Sequence, residues 1–457
     1  MRRQQITAAA ATGRVPPDGA IDRQRTVIDV VGGSGSGAGG CGDTPVRYTR
    51  PRSLLYEVQA SSLHLPCFLH RVQSPKTRKM SGREQWRRVG LLSKLFGGGE
   101  DPRHYVPENL LTKDLTGKTA VVTGATGAFG CEVSEALIKQ GATVVLAVRR
   151  LDAGDALATT LNEKEYKGKA VAMRLDLADP TSVTEFTSKF TAEIGSLHIL
   201  VENAAVCCVG NTPMPGTGFE PHLATNHYGH LLLRHHLEPV LKASAPSRVV
   251  VVASALHDRM FTQEPTTLDL DASPTYLGFS TDPKVDQLKQ WMAYSRSKLA
   301  NVLSALGAAD RLAASGVAIC SVHPGVDPST GLFRFMPKGA FMMRLFGRFI
   351  GLDTTFQSIQ TILYCCLEDH QKLEAGAFYS QHYASKYRDG QTGGWPMKSP
   401  NPFVTKENAA KLEAISFKAL GLAAPVGGKG AGMIAATTMP YEQNVQETPS
   451  TTEVTEP

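Results

Sequence analysis

The chain has 457 residues, of which 42% are hydrophobic and 20% are charged, a composition typical of a soluble globular protein with a large core and not of a fibre. Its formal charge is +6, but the first hundred residues hold 16 Lys and Arg against 7 Asp and Glu, which leaves a net −3 on the remainder. We expect this basic segment not to fold. Because the remainder has a slight negative charge, the folded part is not expected to bind nucleic acid.

Both ends of the chain have the composition of disordered segments. Residues 1–110 mix Gly/Ser runs, prolines and basic residues without periodicity, and residues 423–457 are rich in Gly, Thr and acidic residues. The start, MRRQQITAAAATGR, lacks the apolar core of a secretory signal, so a mitochondrial or plastid transit peptide, a plain extension and initiation at Met80 stay open. We expect a cytoplasmic location, or one of these organelles if the segment is a transit peptide.

From Leu115 onward, short apolar runs alternate with amphipathic stretches. The apolar runs predict strands at residues 119–123, 143–148, 170–175, 198–201, 248–253 and 317–322. The amphipathic stretches predict helices at residues 132–140, 180–194, 220–241 and 294–314. This order predicts a single α/β domain over residues 111–422, a doubly wound parallel sheet of the Rossmann type with helices on both faces.

The eight cysteines include two adjacent pairs but no CxxC and no His/Cys cluster at zinc spacing, so we expect a reducing compartment and no metal site. Cys207, Cys208 and His257 are interpreted as packing or loop residues without a chemical role, with a place in the lining of a pocket as the alternative. No uninterrupted run of about 18 apolar residues occurs, so we expect no transmembrane helix.

The segment TAVVTGATGAFG, residues 119–130, places a strand directly before a glycine-rich turn and a helix that begins near Ala128. Gly124 would allow the tight turn and Gly130 close packing of the helix, whose free N–H groups would face a pyrophosphate. The pattern predicts a dinucleotide site, and a simple strand-to-helix turn is the alternative.

The residues after the next two strands bear on which dinucleotide binds. An NAD site would place an acid after the second strand to bind the ribose hydroxyls, but here Arg149 and Arg150 come first and Asp152 follows. Because a guanidinium can pair with the 2′-phosphate, we predict NADP(H) over NAD(H), with solvated surface arginines as the alternative. Asp176, after the third strand, could reach the adenine edge or cap the following helix.

The pentad YSRSK, Tyr294 to Lys298, stands at the start of an apolar-periodic segment, so its phenol and amine share one helical face. A phenol with a pKa near 10 is a poor acid or base at neutral pH, and a nearby cation would lower that pKa. The pattern gains specificity because Ser254 ends an earlier strand and Asn226 lies on an upstream helix.

These residues resemble the short-chain dehydrogenase/reductase family, and the resemblance runs from about Leu115 to Leu422. The segments YSRSKLANVL, ATNHYGHLLL and SVHPG, and the closing helix AAKLEAISFKALGL, are most similar to the retinol dehydrogenase and WW-domain oxidoreductase branch. LVENAAV and STGLF instead resemble light-dependent protochlorophyllide reductase, a member of the same superfamily.

The resemblance implies a role for each residue of the site. Tyr294 exchanges a proton with the substrate oxygen, and Lys298 lowers its pKa and binds the nicotinamide ribose. Ser254 binds the substrate oxygen, and Asn226 holds a water in the proton relay. The implied cofactor contacts are Thr123, Gly124, Ala128, Phe129, Gly130, Arg149, Asp176, Leu177, Asn203, Ala204, Ala205, Tyr294, Lys298, Pro324 and Gly325.

Three residues depart from the family pattern. Ala128 replaces the middle glycine of the turn, and Glu202 and Ala205 replace the first Asn and the Gly of NNAG. We expect looser cofactor binding and not its loss. A carboxylate at Glu202, near the end of a buried strand, needs a partner that the sequence does not name.

The expected substrate is small and lipophilic. Residues 257–292 form a long insertion, and residues 331–352 combine Phe, Met and basic residues, which predicts a lid over such a substrate. Peripheral contact of this lid with a membrane and a lid helix packed on its own domain are both left open, as is a homodimer.

The sequence thus predicts an NADP(H)-dependent oxidoreductase that reduces a carbonyl or oxidises an alcohol on a retinoid, steroid or similar aldehyde. Two alternatives remain. One is an NADP-binding scaffold with little turnover, and the other is an enzyme similar to protochlorophyllide reductase.

Overall fold

The computed structural model describes residues 105–259, 264–280, 282, 284, 286–325, 327, 330–331, 354–380 and 394–423. Residues 1–104 of the predicted N-terminal extension, the tail beyond Ala423 and residues 332–352 of the predicted lid lie outside this part of the chain. The two disordered extensions, the lid and the domain limits at residues 110 and 422 therefore stay predictions.

Strands and helices alternate along the described residues. The strands are β1 (Thr119–Thr123), β2 (Thr143–Val148), β3 (Lys169–Arg174), β4 (Ile199–Glu202), β5 (Ser247–Val252), β6 (Val317–His323), β7 (Phe378–Ser380) and β8 (Gly394–Met397). The helices are α1 (Glu108–Leu111), α2 (Ala128–Lys139), α3 (Leu151–Asn162), α4 (Pro180–Glu193), α5 (Pro221–Leu223), α6 (Gly229–Ala243), α7 (Gln287–Ala313), α8 (Thr355–Ser358), α9 (Gln360–Leu367) and α10 (Lys406–Ala419).

These strands form a single sheet in the order β3-β2-β1-β4-β5-β6-β7-β8. Neighbouring strands from β3 to β7 are parallel, and β8 pairs with β7 in the antiparallel direction. The order 3-2-1-4-5-6 is that of the Rossmann fold, so the predicted fold class is confirmed. The strand order reverses between β1 and β4, and ligands of open α/β sheets bind at the carboxyl ends of such strands.

Each face of the sheet is covered by its own layer of helices. In β1, Ala120 and Val122 pack in the core with α2 and α9, whereas Val121 packs in the core with α4, α6 and α7. This alternation follows from the two-residue period of a strand, and it explains why strands buried on both faces are almost continuously apolar.

No helix among the described residues is long and apolar enough to cross a bilayer.

The packed domain includes residues on the N-terminal side of residue 111. Val106 and Leu110 are buried in the same core as α2 and α9. The backbone N–H of Val106 donates to the side-chain oxygen of Gln360 at 3.0 Å, which attaches this segment to α9.

The prediction of one continuous helix over residues 220–241 is wrong. The chain forms α5, then a π-helical turn from Ala224–Tyr228, and then α6. The Glu220 carboxylate caps α5 by accepting a hydrogen bond from the N–H of Leu223 at 2.8 Å. The wider π turn carries Asn226, and such turns are frequent at functional sites.

The predicted helix over residues 294–314 begins earlier than expected, at Gln287. Asp286 caps it by accepting a hydrogen bond from the N–H of Lys289 at 2.8 Å. Tyr294 and Lys298 therefore lie inside α7 and not at its start, so their positions are fixed by helix on both sides.

Candidate active site

A cavity of about 560 Å³ opens at the carboxyl ends of the parallel strands, a volume within the range of small-molecule sites. Most of the predicted site residues line it, namely Thr123, Gly124, Ala128, Phe129, Gly130, Arg149, Asp176, Leu177, Asn203, Ala204, Ala205, Tyr294, Lys298 and Pro324. The predicted residues Asn226, Ser254 and Gly325 lie outside its lining.

The glycine-rich turn between β1 and α2 forms one wall of this cavity. Gly124 has a φ of +62°, in the left-handed region that favours glycine. A Cβ added at Gly130 would lie 2.5 Å from the carbonyl oxygen of Gly124, so a larger residue would force the turn and α2 apart. No side chain caps the N-terminus of α2 at Gly127, and its uncapped N–H donors fit a pyrophosphate.

Thr123 ties the glycine-rich turn to the end of β4. Its hydroxyl oxygen accepts hydrogen bonds from the N–H groups of Asn203 and Ala204, both at 2.9 Å. The Asn203 side-chain amide donates in turn to the carbonyl oxygen of Thr123 at 2.8 Å. These bonds hold residues 203–205 as a second wall of the cavity, next to the first.

Two charged residues line the cavity where β2 and β3 end. Arg149 belongs to this lining, whereas its neighbour Arg150 is the N-cap residue of α3 and lies outside it. Asp176 also lines the cavity. The N-cap of α4 is Asp179, whose carboxylate accepts from the N–H of Thr181 at 2.9 Å, so the alternative role of Asp176 as that cap is wrong.

Tyr294 and Lys298 lie on one face of α7, as their spacing predicts, and both line the cavity. The Nζ of Lys298 lies 5.8 Å from the centre of the Tyr294 ring and donates to the carbonyl oxygen of Val252 at 2.7 Å. The two residues are only 5% and 1% exposed, so both polar groups are largely removed from water.

Burial controls the protonation of this pair. It raises the pKa of Tyr294, Cys207 raises it further, and a hydrogen bond with the Ser254 side chain lowers it. Burial also lowers the pKa of Lys298 to about 7, against the effects of Cys207 and Glu202. The net shift of the phenol pKa is upward, opposite to the predicted lowering, because burial and Cys207 together outweigh the hydrogen bond with Ser254.

The predicted residues outside the lining have structural contacts of their own. Ser254 caps the turn Ala255–His257 by accepting from the N–H of Leu256 at 3.2 Å, and its bond with Tyr294 keeps it beside the phenol. The Asn226 side chain accepts from the N–H of Val206 at 2.8 Å and donates to the carbonyl oxygen of Val206 at 3.0 Å. Asn226 therefore braces the loop after β4 from behind the cavity wall.

The missing partner of Glu202 is Arg234 in α6. Nη1 of Arg234 donates to both carboxylate oxygens at 2.9 Å, and Nη2 donates to the hydroxyl of Ser304 in α7. The two charged side chains are only 2% and 3% exposed. Burial raises the pKa of Glu202, while Arg234 and then Lys298 lower it. This ion pair joins β4 to α6 and α7 beneath the cavity.

Sequence reasoning missed about half of the lining, namely Thr126, Gly127, Ala147, Leu175, Ala178, Val206, Val209, Thr212, Met214, Pro221, Thr225, Val252, Ala253 and Thr330. Thr126 and Gly127 lie within the glycine-rich motif and could have been included. Cys207 packs beside Tyr294 as predicted, and it also lines the cavity, which was the alternative. Val209 and Met214 come from an irregular loop that carries no sequence signal.

Three buried histidines and the partly buried His323, all near the site, predict destabilisation in acid. Burial lowers the pKa of His227, His230 and His323 to about 3 and that of His257 to about 4. Since a histidine in the unfolded chain titrates near about 6.5, the unfolded state binds more protons as the pH falls below that value. The free energy of unfolding should therefore decrease with falling pH.

Urea unfolding at about pH 7.5 and about pH 5 measures this effect. We expect a lower urea midpoint at the lower pH. The difference between the two midpoints should be smaller in a His227→Gln variant, because glutamine fills the same buried position without binding a proton. The half-exposed His236 provides the matched control, and a His236→Gln variant that flattened the dependence as much as His227→Gln would contradict the assignment.

The chain matches known proteins, and the family match includes the glycine-rich turn of this site. The family model described as short chain dehydrogenase matches residues 118–264. Retinol dehydrogenase 12 of Bos taurus is 37% identical over 269 residues, which are 58% of this chain and 78% of that protein. Retinol dehydrogenase 11 of Homo sapiens is 36% identical over 274 residues, which are 59% of this chain and 79% of that protein.

Two further matches extend the comparison. The WW domain-containing oxidoreductase of Gallus gallus is 38% identical over 220 residues, covering 48% of this chain and 51% of that protein. Among solved structures, an uncharacterized protein from Mycobacterium paratuberculosis superposes with a TM-score of 0.51 and 25% identity, over 69% of this chain and 97% of the other. The resemblance stated from YSRSKLANVL and ATNHYGHLLL is thereby confirmed.

Proposed function

The chain belongs to the short-chain dehydrogenase family of oxidoreductases, and on that premise we propose that it uses NADP(H) to reduce a carbonyl, or oxidise the corresponding alcohol, on a lipophilic substrate. One observation carries the proposal. Tyr294 and Lys298 line the same cavity as the glycine-rich turn and Arg149, so a proton donor and a dinucleotide site share one space.

The residues of the cavity fit a phosphorylated dinucleotide. The uncapped N-terminus of α2 would hold its pyrophosphate, Arg149 its 2′-phosphate and Asp176 its adenine edge. Lys298 would bind the nicotinamide ribose. When bound, NADPH would supply the hydride.

Tyr294 acts as the proton donor in this proposal. Its raised pKa keeps the phenol protonated near neutral pH, so the group is in the form that can give a proton to a carbonyl oxygen. Ser254 lies within hydrogen-bond reach of the phenol and would bind the same oxygen, which places the substrate carbonyl between the two hydroxyls. Burial of the site strengthens both hydrogen bonds.

Apolar side chains of the cavity support a lipophilic substrate. Val206, Val209 and Met214 line it, and Val209 is 38% exposed, so the apolar wall continues to the surface. Two of the relatives are named retinol dehydrogenases, and the retinol of that name is a lipophilic alcohol. We therefore propose retinoids, steroids and fatty aldehydes as the substrate class.

A panel of carbonyl compounds tests this function. The full chain is mixed with NADPH and a retinoid aldehyde, a steroid ketone, a fatty aldehyde or a small hydrophilic aldehyde, and the loss of NADPH absorbance is followed. We expect turnover with at least one lipophilic carbonyl and little with the hydrophilic one. Turnover restricted to NADH, or to hydrophilic carbonyls, would contradict the proposal.

Arg149 should set the preference for NADP(H). Because a charge-assisted hydrogen bond to the 2′-phosphate contributes about 1.5–3 kcal/mol, Arg149→Ala should raise the Kd for NADPH about ten- to a hundredfold and leave the Kd for NADH nearly unchanged. Arg150→Ala is the matched control, since Arg150 has the same charge but lies outside the cavity. Equal losses in the two variants would show that general positive charge, and not a specific contact, determines the preference.

A further inference from the structure

Two adjacent thiols lie in the wall of the cavity beside the phenol. The sulfur atoms of Cys207 and Cys208 are 3.4 Å apart and hydrogen-bonded to each other. Both residues pack with Trp291 and Tyr294, and Cys207 lines the cavity itself. The pair is 3% and 8% exposed, so small molecules reach it chiefly through the cavity and not from the outer surface.

Three side chains fix the backbone on both sides of this pair. Asn226 binds the N–H and the carbonyl oxygen of Val206, and the Gln290 side chain accepts from the N–H of Gly210 at 2.9 Å. Between them, the buried His222 accepts from the N–H of Cys208 at 3.1 Å and is itself held by the Glu220 carboxylate. The loop is therefore built to hold the two thiols together.

Cys208 also has an unusual backbone conformation. Its φ is +54°, in the left-handed region that residues other than glycine rarely adopt. The hydrogen bond from its N–H to His222 stabilises this conformation, and the result is that the two side chains of an adjacent pair turn toward each other.

The chain has a second pair of adjacent buried cysteines, Cys365 and Cys366, whose geometry differs from that of Cys207 and Cys208. Cys365 and Cys366 lie in the regular helix α9, fully buried in the core and outside the cavity. Successive side chains of a helix point about 100° apart around its axis, so a bond between these two sulfur atoms would require the helix to unwind. This second pair supplies an internal control within the same chain.

We propose that Cys207 and Cys208 form a modification site for hydroperoxides, which oxidise the two thiols to a vicinal disulfide that stops turnover. The Cys208 thiolate attacks the peroxide O–O bond and becomes a sulfenic acid, while the peroxide leaves as water or an alcohol. The Cys207 thiol then attacks the sulfenic sulfur, the S–S bond forms and a second water leaves. Two electrons pass from the thiols to one peroxide.

Local chemistry supports both steps. The hydrogen bond from Cys207 lowers the pKa of Cys208, which favours the thiolate that attacks the peroxide. Adjacent Cα atoms are about 3.8 Å apart, below the usual disulfide range of about 4.4–6.8 Å, so the product is strained and easily reduced. A strained bond of this kind suits a reversible modification and not a permanent crosslink.

The block of turnover rests on the proposed function, whereas formation of the disulfide does not. Closing the ring brings the sulfur atoms from 3.4 Å to about 2.05 Å and twists the backbone between them, next to the Tyr294 ring. The wall against which Tyr294 packs changes shape. Because proton transfer depends on the position of the phenol, catalysis should stop while cofactor binding at Arg149 and the glycine-rich turn continues.

Mass spectrometry of the oxidised full chain tests the bond directly. The protein is treated with hydrogen peroxide, denatured, alkylated and digested with trypsin, which releases the two pairs in separate peptides, 190–234 and 349–372. We expect peptide 190–234 to lose two hydrogen masses and to resist alkylation until dithiothreitol is added. Peptide 349–372 should be alkylated at both thiols throughout. Full alkylation of peptide 190–234 after peroxide, or its irreversible oxidation to a sulfonic acid, would overturn the proposal.

Activity provides the second readout. Peroxide should lower NADPH-dependent turnover of the wild-type chain at least tenfold, and dithiothreitol should restore it. The turnover of a Cys208→Ser variant should be the same before and after the peroxide treatment. A disulfide that forms without loss of turnover would overturn the block of catalysis. If no carbonyl is turned over at all, the proposed function fails and the mass measurement still decides whether the pair is a peroxide site.

Discussion

Replacement of Tyr294 by Phe should lower kcat for carbonyl reduction by about 10²–10⁴-fold, because the variant lacks the phenol that donates the proton to the substrate oxygen. The ring still packs beside Trp291 and the two cysteines, so the fold should not change. The Kd for NADPH should also remain within about twofold, since the groups proposed to hold the cofactor are Arg149, Lys298 and the N-terminus of α2. Stopped-flow absorbance and a fluorescence titration measure the two quantities.

Tyr228→Phe is the matched control for this experiment. Tyr228 is buried as deeply as Tyr294 and donates to the carbonyl oxygen of Pro274, but it lies outside the cavity lining. Its loss should cost about 1 kcal/mol of stability and leave turnover intact. If Tyr294→Phe kept full turnover, another acid would be at work. If the wild-type chain bound NADPH without turnover and its cellular role survived Tyr294→Phe, the scaffold alternative would be favoured.

Removal of Arg234 should destabilise the protein by about 3–5 kcal/mol, because Glu202 would be left as an uncompensated charge in the core. Arg234→Met keeps much of the side-chain volume, so the effect reports on the charge and on the lost bonds to Glu202 and Ser304. Urea unfolding followed by circular dichroism gives the free energy of unfolding.

A double variant separates the ion pair from simple packing. Replacing both partners, as Glu202→Gln with Arg234→Met, removes the stranded carboxylate, so the double variant should be more stable than Arg234→Met alone. Losses that simply add would mean that the two side chains do not depend on each other. Such additivity would contradict the role of Arg234 as the partner of Glu202.

The central strands and the parallel sheet that they form could be predicted from the sequence, because burial on both faces leaves a continuous apolar signal. The predicted limits of β1 and β2 agree with the structure, and β3 to β6 differ by a residue or so at their ends. The last two strands of the sheet, β7 and β8, were missed, since they are short and β7 pairs with β6 across a long stretch of chain. Helix α3, with the sequence LDAGDALATTLN, was missed as well, although its buried residues Gly154, Ala158 and Leu161 recur at helical spacing.

The candidate site was predictable where it depends on local spacing and unpredictable where it depends on distant contacts. The four-residue spacing of Tyr294 and Lys298, and the glycines that follow β1, place these residues at the cavity from the sequence alone. The partner of Glu202 could not be predicted, because Arg234 is separated from it by 32 residues and contacts it only when α6 packs on β4.

The direction of the Tyr294 pKa shift was also beyond the sequence. The pentad shows that an amine lies one turn from the phenol, but the shift depends on how deeply both are buried and on what else they contact. The carbonyl oxygen of Val252 holds Lys298, and Ser254 and Cys207 flank the phenol. Tertiary packing therefore determines the protonation of a pair that the sequence locates correctly.

The crystal structure of the full chain with NADP⁺ bound tests the central claim most directly. We expect the nicotinamide ring in contact with Tyr294 and Lys298, the pyrophosphate on the N-terminus of α2 and the 2′-phosphate on Arg149. A dinucleotide bound elsewhere, or a nicotinamide ring separated from Tyr294 by the cavity wall, would contradict the proposed chemistry.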